Sequence, residues 1–125
     1  MQALCVSLRI LVADNEPDTV LALTRLLRDE GHLTRGVYCG ADVLAAVQQF
    51  HPDVVLVDLA MPDRSGWDVA REIRATQGTE RLLLIAISSL YGQASSPLLG
   101  SMGGFDYYLA KPCDPNVLLG LLRHL

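Results

Sequence analysis

Five alternations of a strand-like run with a helix-like one predict an open, doubly wound α/β fold built on a parallel sheet. Three observations carry that expectation. Val54-Val55-Leu56-Val57-Asp58 and Arg81-Leu82-Leu83-Leu84-Ile85-Ala86-Ile87 are apolar runs of strand length, the pattern of strands buried on both faces. Segments with apolar residues at helical spacing separate the strand-like runs. Five units are too few to close a parallel barrel, which takes about eight.

In chain order, Leu8 to Ala13 reads as the first strand. Asp14-Asn15-Glu16-Pro17-Asp18 turns it into a helix, with Asn15 or Glu16 as cap and Pro17 in the first turn. Val20, Leu23, Leu26 and Leu27 form the apolar face, and Gly31 stops the helix after Glu30. His32 to Val37 is a less apolar strand, expected near an edge. After Cys39-Gly40, Ala41 to Phe50 reads as a second helix, which ends before Pro52. Val54 to Asp58 follows, then a loop, Leu59-Ala60-Met61-Pro62-Asp63-Arg64-Ser65-Gly66, marked by Pro and Gly. Ser65-Gly66 opens a third helix running to about Thr76. The fourth strand begins at Arg81 and ends in Ser88-Ser89. Leu90 to Gly104 is rich in glycine, so any helix there is short and frayed; Ser96 with Pro97 is its expected start, and mobility is expected throughout. Asp106 to Ala110 is a short strand that closes at Lys111-Pro112, and Asn116 to Leu125 is a leucine-rich last helix.

The chain of 125 residues suits one domain, residues 1–125, with one sizeable core. A net charge of -4 speaks against nucleic acid as a direct partner. The longest apolar runs are strand-sized, which speaks against a membrane span. Met1 to Ser7 lacks a basic stretch and a cleavage-type site, so the expected location is cytoplasmic. Cys5, Cys39 and Cys113 lie far apart and read as reduced thiols. His32, His51 and His124 share no metal-ligand spacing and read as surface or packing residues.

Parallel strands point their carboxyl ends to one edge, where ligands gather in such sheets. The first strand delivers Asp14, Asn15 and Glu16 there, the third Asp58, the fourth Ser88 with Ser89, and the fifth Lys111. A lone Asp after a strand usually just caps its loop; Asp58 has company. Clustered carboxylates repel one another unless a cation joins them, and a hard divalent ion, Mg²⁺ above all, fits such oxygen ligands. A carboxylate can also accept a phosphoryl group as a nucleophile, provided that charge on the phosphoryl oxygens is neutralised. Lys111 is the only lysine in the chain, every other cation being Arg, which suggests a point charge aimed at an anion rather than a solvated surface cation.

Four pieces in order, Ile10 to Pro17, Pro52 to Pro62, Ala86 to Ser89 and Tyr108 to Pro112, carry a likeness. Together they resemble the receiver domain of bacterial response regulators over nearly the whole chain. The resemblance implies a flavodoxin-like fold with strand order 2-1-3-4-5. It implies Asp58 as phosphoacceptor and Asp14 in the acidic pair that holds Mg²⁺. The backbone carbonyl of Ala60 becomes a further metal ligand, Ser88 the switch hydroxyl, and Lys111 its partner at the phosphoryl group. Tyr108 matches the aromatic switch position, and Lys111-Pro112 resembles the family's cis peptide.

Two departures stand out. The second member of the acidic pair is Asn15, a neutral ligand at a position that normally holds a direct metal ligand, which predicts weaker Mg²⁺ binding; Glu16 is a poorly placed substitute. The spacing from Ser88 to Lys111 is one residue longer than usual, so Ser89 competes for the switch role, although Leu84 to Ile87 aligns better as strand with Ser88 in it.

The implied activity is acceptance of a phosphoryl group from a histidine kinase or a histidine phosphotransfer protein. The domain then supports its own dephosphorylation and is not otherwise an enzyme. Phosphorylation would remodel the face around the fourth helix, fifth strand and fifth helix, the expected surface for an effector or dimer partner. Gly104 to Pro112 is similar to receivers attached to hybrid sensor kinases, which leaves a stand-alone protein and a fragment both open. A second reading keeps the fold but drops the chemistry: a pseudo-receiver, acting as a phosphorylation-independent interaction module. Asn15 favours it, whereas Asp58, Ser88 and Lys111 oppose it. Flavin-binding and phosphohydrolase relatives of the fold are disfavoured, because the first loop is acidic and lacks a glycine-rich phosphate cradle.

Overall fold

A computed structural model describes residues 7–89 and 104–123. Five strands form one sheet: β1 (Arg9–Ala13), β2 (Leu33–Val37), β3 (Val54–Asp58), β4 (Leu83–Ser88) and β5 (Tyr107–Ala110). Their order is β2-β1-β3-β4-β5, and every pairing is parallel. The helices are α1 (Pro17–Asp29), α2 (Val43–Phe50), α3 (Gly66–Ala75) and a last described helix, Pro115–Leu122. The helix expected to begin at Ser96-Pro97 lies outside the described residues.

The period-two alternation of the strands splits the core in two. Leu11, Ala13, Val55, Val57, Leu84 and Ala86 face α2 and α3. Ile10, Val12, Val54, Leu56, Ile85 and Ile87 face α1 and the last described helix. All five residues of β3 are buried, as a central strand covered on both faces requires. β2 is one of the two edge strands and is only partly covered, in keeping with its mixed sequence.

Local rules fix the ends. Ser65 caps α3 by accepting from the Asp68 N–H at 3.2 Å, and Asp114 caps the last described helix through the Asn116 N–H at 2.9 Å. Three expectations shift. Gly40–Asp42 is a 3₁₀ turn, so α2 proper begins at Val43. β4 begins at Leu83 because the Leu82 N–H closes a turn onto the Thr79 carbonyl at 3.1 Å. Glu16 occupies the cap position of α1 but makes no side-chain cap bond; its carboxylate is used elsewhere.

Candidate functional site

The carboxyl edge of the sheet brings Asp14, Asp58, Ser88 and Lys111 together. Register does the first part of the work. β1 and β3 pair Ala13 with Val57, so Asp14 and Asp58 leave neighbouring strands at the same level. β4 and β5 pair Ser88 with Ala110, which places Lys111 just beyond Ser88, and the Lys111 N–H donates to the Ser88 carbonyl at 2.8 Å. The Lys111–Pro112 peptide is cis.

Three of these side chains are buried although polar: Asp14 is 0 %, Asp58 3 % and Ser88 1 % exposed. Buried charge needs partners, and Lys111 supplies them. Its ammonium lies 2.9 Å from Asp14 Oδ2, 2.8 Å from Glu16 Oε1 and 3.5 Å from Asp58 Oδ2. Burial works against the ammonium, but the carboxylates of Glu16, Asp14 and Asp58 outweigh it and hold the Lys111 pKa above its usual value. The Asp58 pKa is raised as well, which for a carboxylate favours the neutral form. Burial raises its pKa, the Ala60 N–H on Oδ1 (3.0 Å) pulls it down, Asp14 pushes it up again and Lys111 lowers it; the net shift is upward. Glu16 is exposed, and its bond to Lys111 holds its carboxyl below the usual range.

The loop between β3 and α3 shapes the other side. Met61 and Leu59 are buried in the core, and the Gly66 N–H donates to the Leu59 carbonyl at 3.1 Å. Gly66 packs against backbone: a Cβ there would stand 2.8 Å from the Asp58 carbonyl oxygen and 2.8 Å from Leu59 Cα. Ala60 is exposed on this loop, and Asn15 is exposed at the end of β1. Ser89 is exposed where Ser88 is buried. Tyr108, half-buried, packs its ring against Trp67 (6.1 Å between centroids) and Phe105 (6.5 Å), and burial raises its phenol pKa.

Asp14 Oδ2 is buried and has no aligned hydrogen bond, although the Lys111 ammonium is close. An anionic oxygen left in this state, beside a second buried carboxylate, is the donor chemistry that a hard divalent cation takes. Among the described residues no cluster of three or more acidic, His or Cys side chains is arranged for a metal. Asn15, next to Asp14 in sequence, is neutral and exposed, and the Glu16 carboxylate is turned to Lys111.

A family model for the response regulator receiver domain matches residues 10–123. The chain belongs to the response regulator receiver family. This receiver is 37% identical over 115 residues to the DNA-binding response regulator MtrA of Mycolicibacterium smegmatis, covering 92% of the chain and 49% of that protein. The receiver thus spans about half the length of the first curated relatives that it matches. It is 32% identical over 111 residues to Protein PilH of Pseudomonas aeruginosa, covering 89% of the chain and 91% of that protein. Among solved structures, the chemotaxis response regulator CheY4 of Vibrio cholerae shares the fold with a TM-score of 0.84 at 22% identity, covering 95% of this chain and 98% of that one. The BeF3-activated DrrB receiver domain superposes with a TM-score of 0.81 at 26% identity, covering 95% and 97%. The flavodoxin-like strand order expected from the resemblance is the one observed. No helix among the described residues is long and apolar enough to cross a membrane.

Sequence reasoning missed two site contacts. The sequence offers Glu16 as a cap or a spare metal ligand, yet its carboxylate meets Lys111 across 95 residues of sequence. Asp63 reads in the sequence only as part of a loop, and it accepts from the Gly40 and Ala41 N–H groups. A free-standing Glu beside the acidic cluster and a Pro-Asp pair in the loop were the only local signals.

Proposed function

We propose that this receiver accepts a phosphoryl group on Asp58 from a phosphohistidine, presented by a histidine kinase or a histidine phosphotransfer protein. The observation that supports it best is the convergence of Asp14, Asp58 and the sole lysine, Lys111, at one buried edge. An Asp58 oxygen attacks phosphorus in line, an O–P bond forms, and the P–N bond breaks with its electron pair leaving on the imidazole. The Lys111 ammonium neutralises charge on the phosphoryl oxygens, and the Ala60 N–H orients the Asp58 carboxylate.

Asp14, Asp58, the Ala60 carbonyl and the neutral Asn15 would hold Mg²⁺, which supplies further charge neutralisation at the phosphoryl oxygens when bound. Ser88 is the switch hydroxyl in this reading, because it is buried beside the site whereas Ser89 faces solvent. Tyr108 is the aromatic that follows it. The output surface in this reading includes β5 and the last described helix; the fourth helix expected from the sequence lies outside the described residues. Water then attacks the acyl phosphate and resets Asp58. The net charge of -4 supports protein partners in preference to direct contact with nucleic acid or membrane.

The test is intact mass after incubation with a small phosphodonor, with and without Mg²⁺. A Mg²⁺-dependent gain of about 80 Da in the wild type, absent in Asp58→Asn, is expected. A folded protein that gains nothing favours the second reading, a pseudo-receiver that binds partners without phosphorylation. Asn15 is the observation behind that alternative, since it leaves the acidic cluster one charge short.

A further inference from the structure

Asp63 lies on the same loop as Ala60, and its side chain reaches out of that loop. Oδ1 accepts from the Gly40 N–H at 2.9 Å and Oδ2 from the Ala41 N–H at 2.9 Å. Those two N–H groups open the 3₁₀ turn that leads into α2, where backbone donors lack partners within the helix. An Asp normally caps the helix that follows it in sequence. Asp63 instead caps a turn 22 and 23 residues before it. Both backbone donors hold its carboxyl below the usual carboxylate range.

The approach depends on Gly40 having no side chain. A Cβ there would stand 2.8 Å from Arg64 Cβ and 3.3 Å from Val69 Cγ2. The other polar contacts of residues 60–66 run elsewhere. The Ala60 N–H bonds Asp58, Arg64 pairs with Glu72 on α3 at 2.7 Å, and the Gly66 N–H bonds Leu59. Among these, Asp63 is the side chain that ties the loop to the β2–α2 side of the sheet.

We propose that Asp63 is a positioning residue for the phosphoacceptor, a role that rests on the reading of Asp58 given above. It holds the loop against the α2 turn and thereby sets the Ala60 backbone, whose N–H fixes Asp58 Oδ1 and whose carbonyl is the assigned metal ligand. Releasing Asp63 leaves the Gly40 and Ala41 donors without their acceptor and lets Ala60 shift relative to Asp58.

The experiment compares wild type, Asp63→Ala and Asp63→Asn. Phosphoryl gain from a small phosphodonor is followed across a Mg²⁺ titration, and the Ala60 amide is followed by ¹⁵N correlation spectra of the metal-free protein. Thermal melts give the folded fraction. Asp63→Ala is expected to raise the half-saturating Mg²⁺ concentration about tenfold, the scale of losses at residues that orient metal ligands, and to move the Ala60 amide. Asp63→Asn, which keeps one acceptor oxygen, falls between. An Ala60 amide that stays in place, with an unchanged Mg²⁺ dependence, overturns the proposal. So does a loss that follows only the folded fraction at every Mg²⁺ concentration. If the wild type gains no phosphoryl group, the phosphoacceptor reading fails, and the amide shift alone decides whether Asp63 positions the loop.

Discussion

Glu16 Oε1 stands 2.8 Å from the Lys111 ammonium and holds it at the rim of the site. Asp58 Oδ2 is farther from the same ammonium, at 3.5 Å. The two acids therefore compete for one cation. Glu16→Gln replaces a charged acceptor by a neutral one and leaves Lys111 to the buried pair. Phosphoryl gain on Asp58 is expected to accelerate, by at most about fivefold because ion pairs with an exposed partner are weak. An intact-mass time course checks this, and an equal or slower rate would show that Glu16 does not restrain Lys111.

Asn15 sets the charge of the proposed metal site. An acid at that position would add a third carboxylate to Asp14 and Asp58. Asn15→Asp should tighten Mg²⁺ binding by ~10-fold, since ligand charge count tunes such sites over decades. Titration calorimetry of both proteins measures it directly, and equal affinities would sink the idea that the missing charge weakens the site.

Legibility followed the range of the interaction. The Val54–Asp58 strand announces itself, because a run of β-branched and aliphatic residues has no other low-energy place than a buried central strand. The Ser65 cap was readable as well, since its partner Asp68 is three residues on. Strand register then carries Asp14, Asp58, Ser88 and Lys111 to one edge once the sheet is parallel, so their convergence was legible before its geometry. What stayed hidden is set by tertiary contact. Glu16 sits at a cap position, and only the folded chain reveals that Lys111 outcompetes the helix end for it. Arg74 reads as an ordinary basic residue in the last turn of α3. In the fold it donates to the carbonyls of Leu82 (2.8 Å) and Gly104 (3.1 Å) and pairs with Asp106 at 2.7 Å, closing the foot of β5 onto β4.

Gly66 tests how tightly the phosphoacceptor loop is packed. Ala is the better helix former, so propensity alone would make Gly66→Ala stabilising. The contacts decide otherwise: the added Cβ meets the Asp58 carbonyl oxygen and Leu59 Cα, each at 2.8 Å, and neither is the movable end of a side chain. Overpacking against backbone is expected to destabilise by about 1–3 kcal/mol, measured by urea unfolding. A neutral or stabilising change would mean that the loop yields more readily than its contacts imply.

Asp63 gives a pH signature that separates its hydrogen bonds from mere loop packing. The folded carboxyl is held below its ordinary value by the Gly40 and Ala41 N–H groups. A carboxyl depressed on folding adds stability above its unfolded pKa of about 3.9, and that stability fades as pH falls through the lower folded value. Wild type should therefore melt above Asp63→Asn at neutral pH. The gap should narrow below about pH 4 and close once Asp63 is protonated in the folded state as well. The other carboxylates titrate in both proteins and largely cancel in the difference. Melting curves of the pair between neutral and acid pH make the measurement. A gap of constant size down to the acid limit would assign the effect to shape alone and remove the charge-assisted bonds from the account.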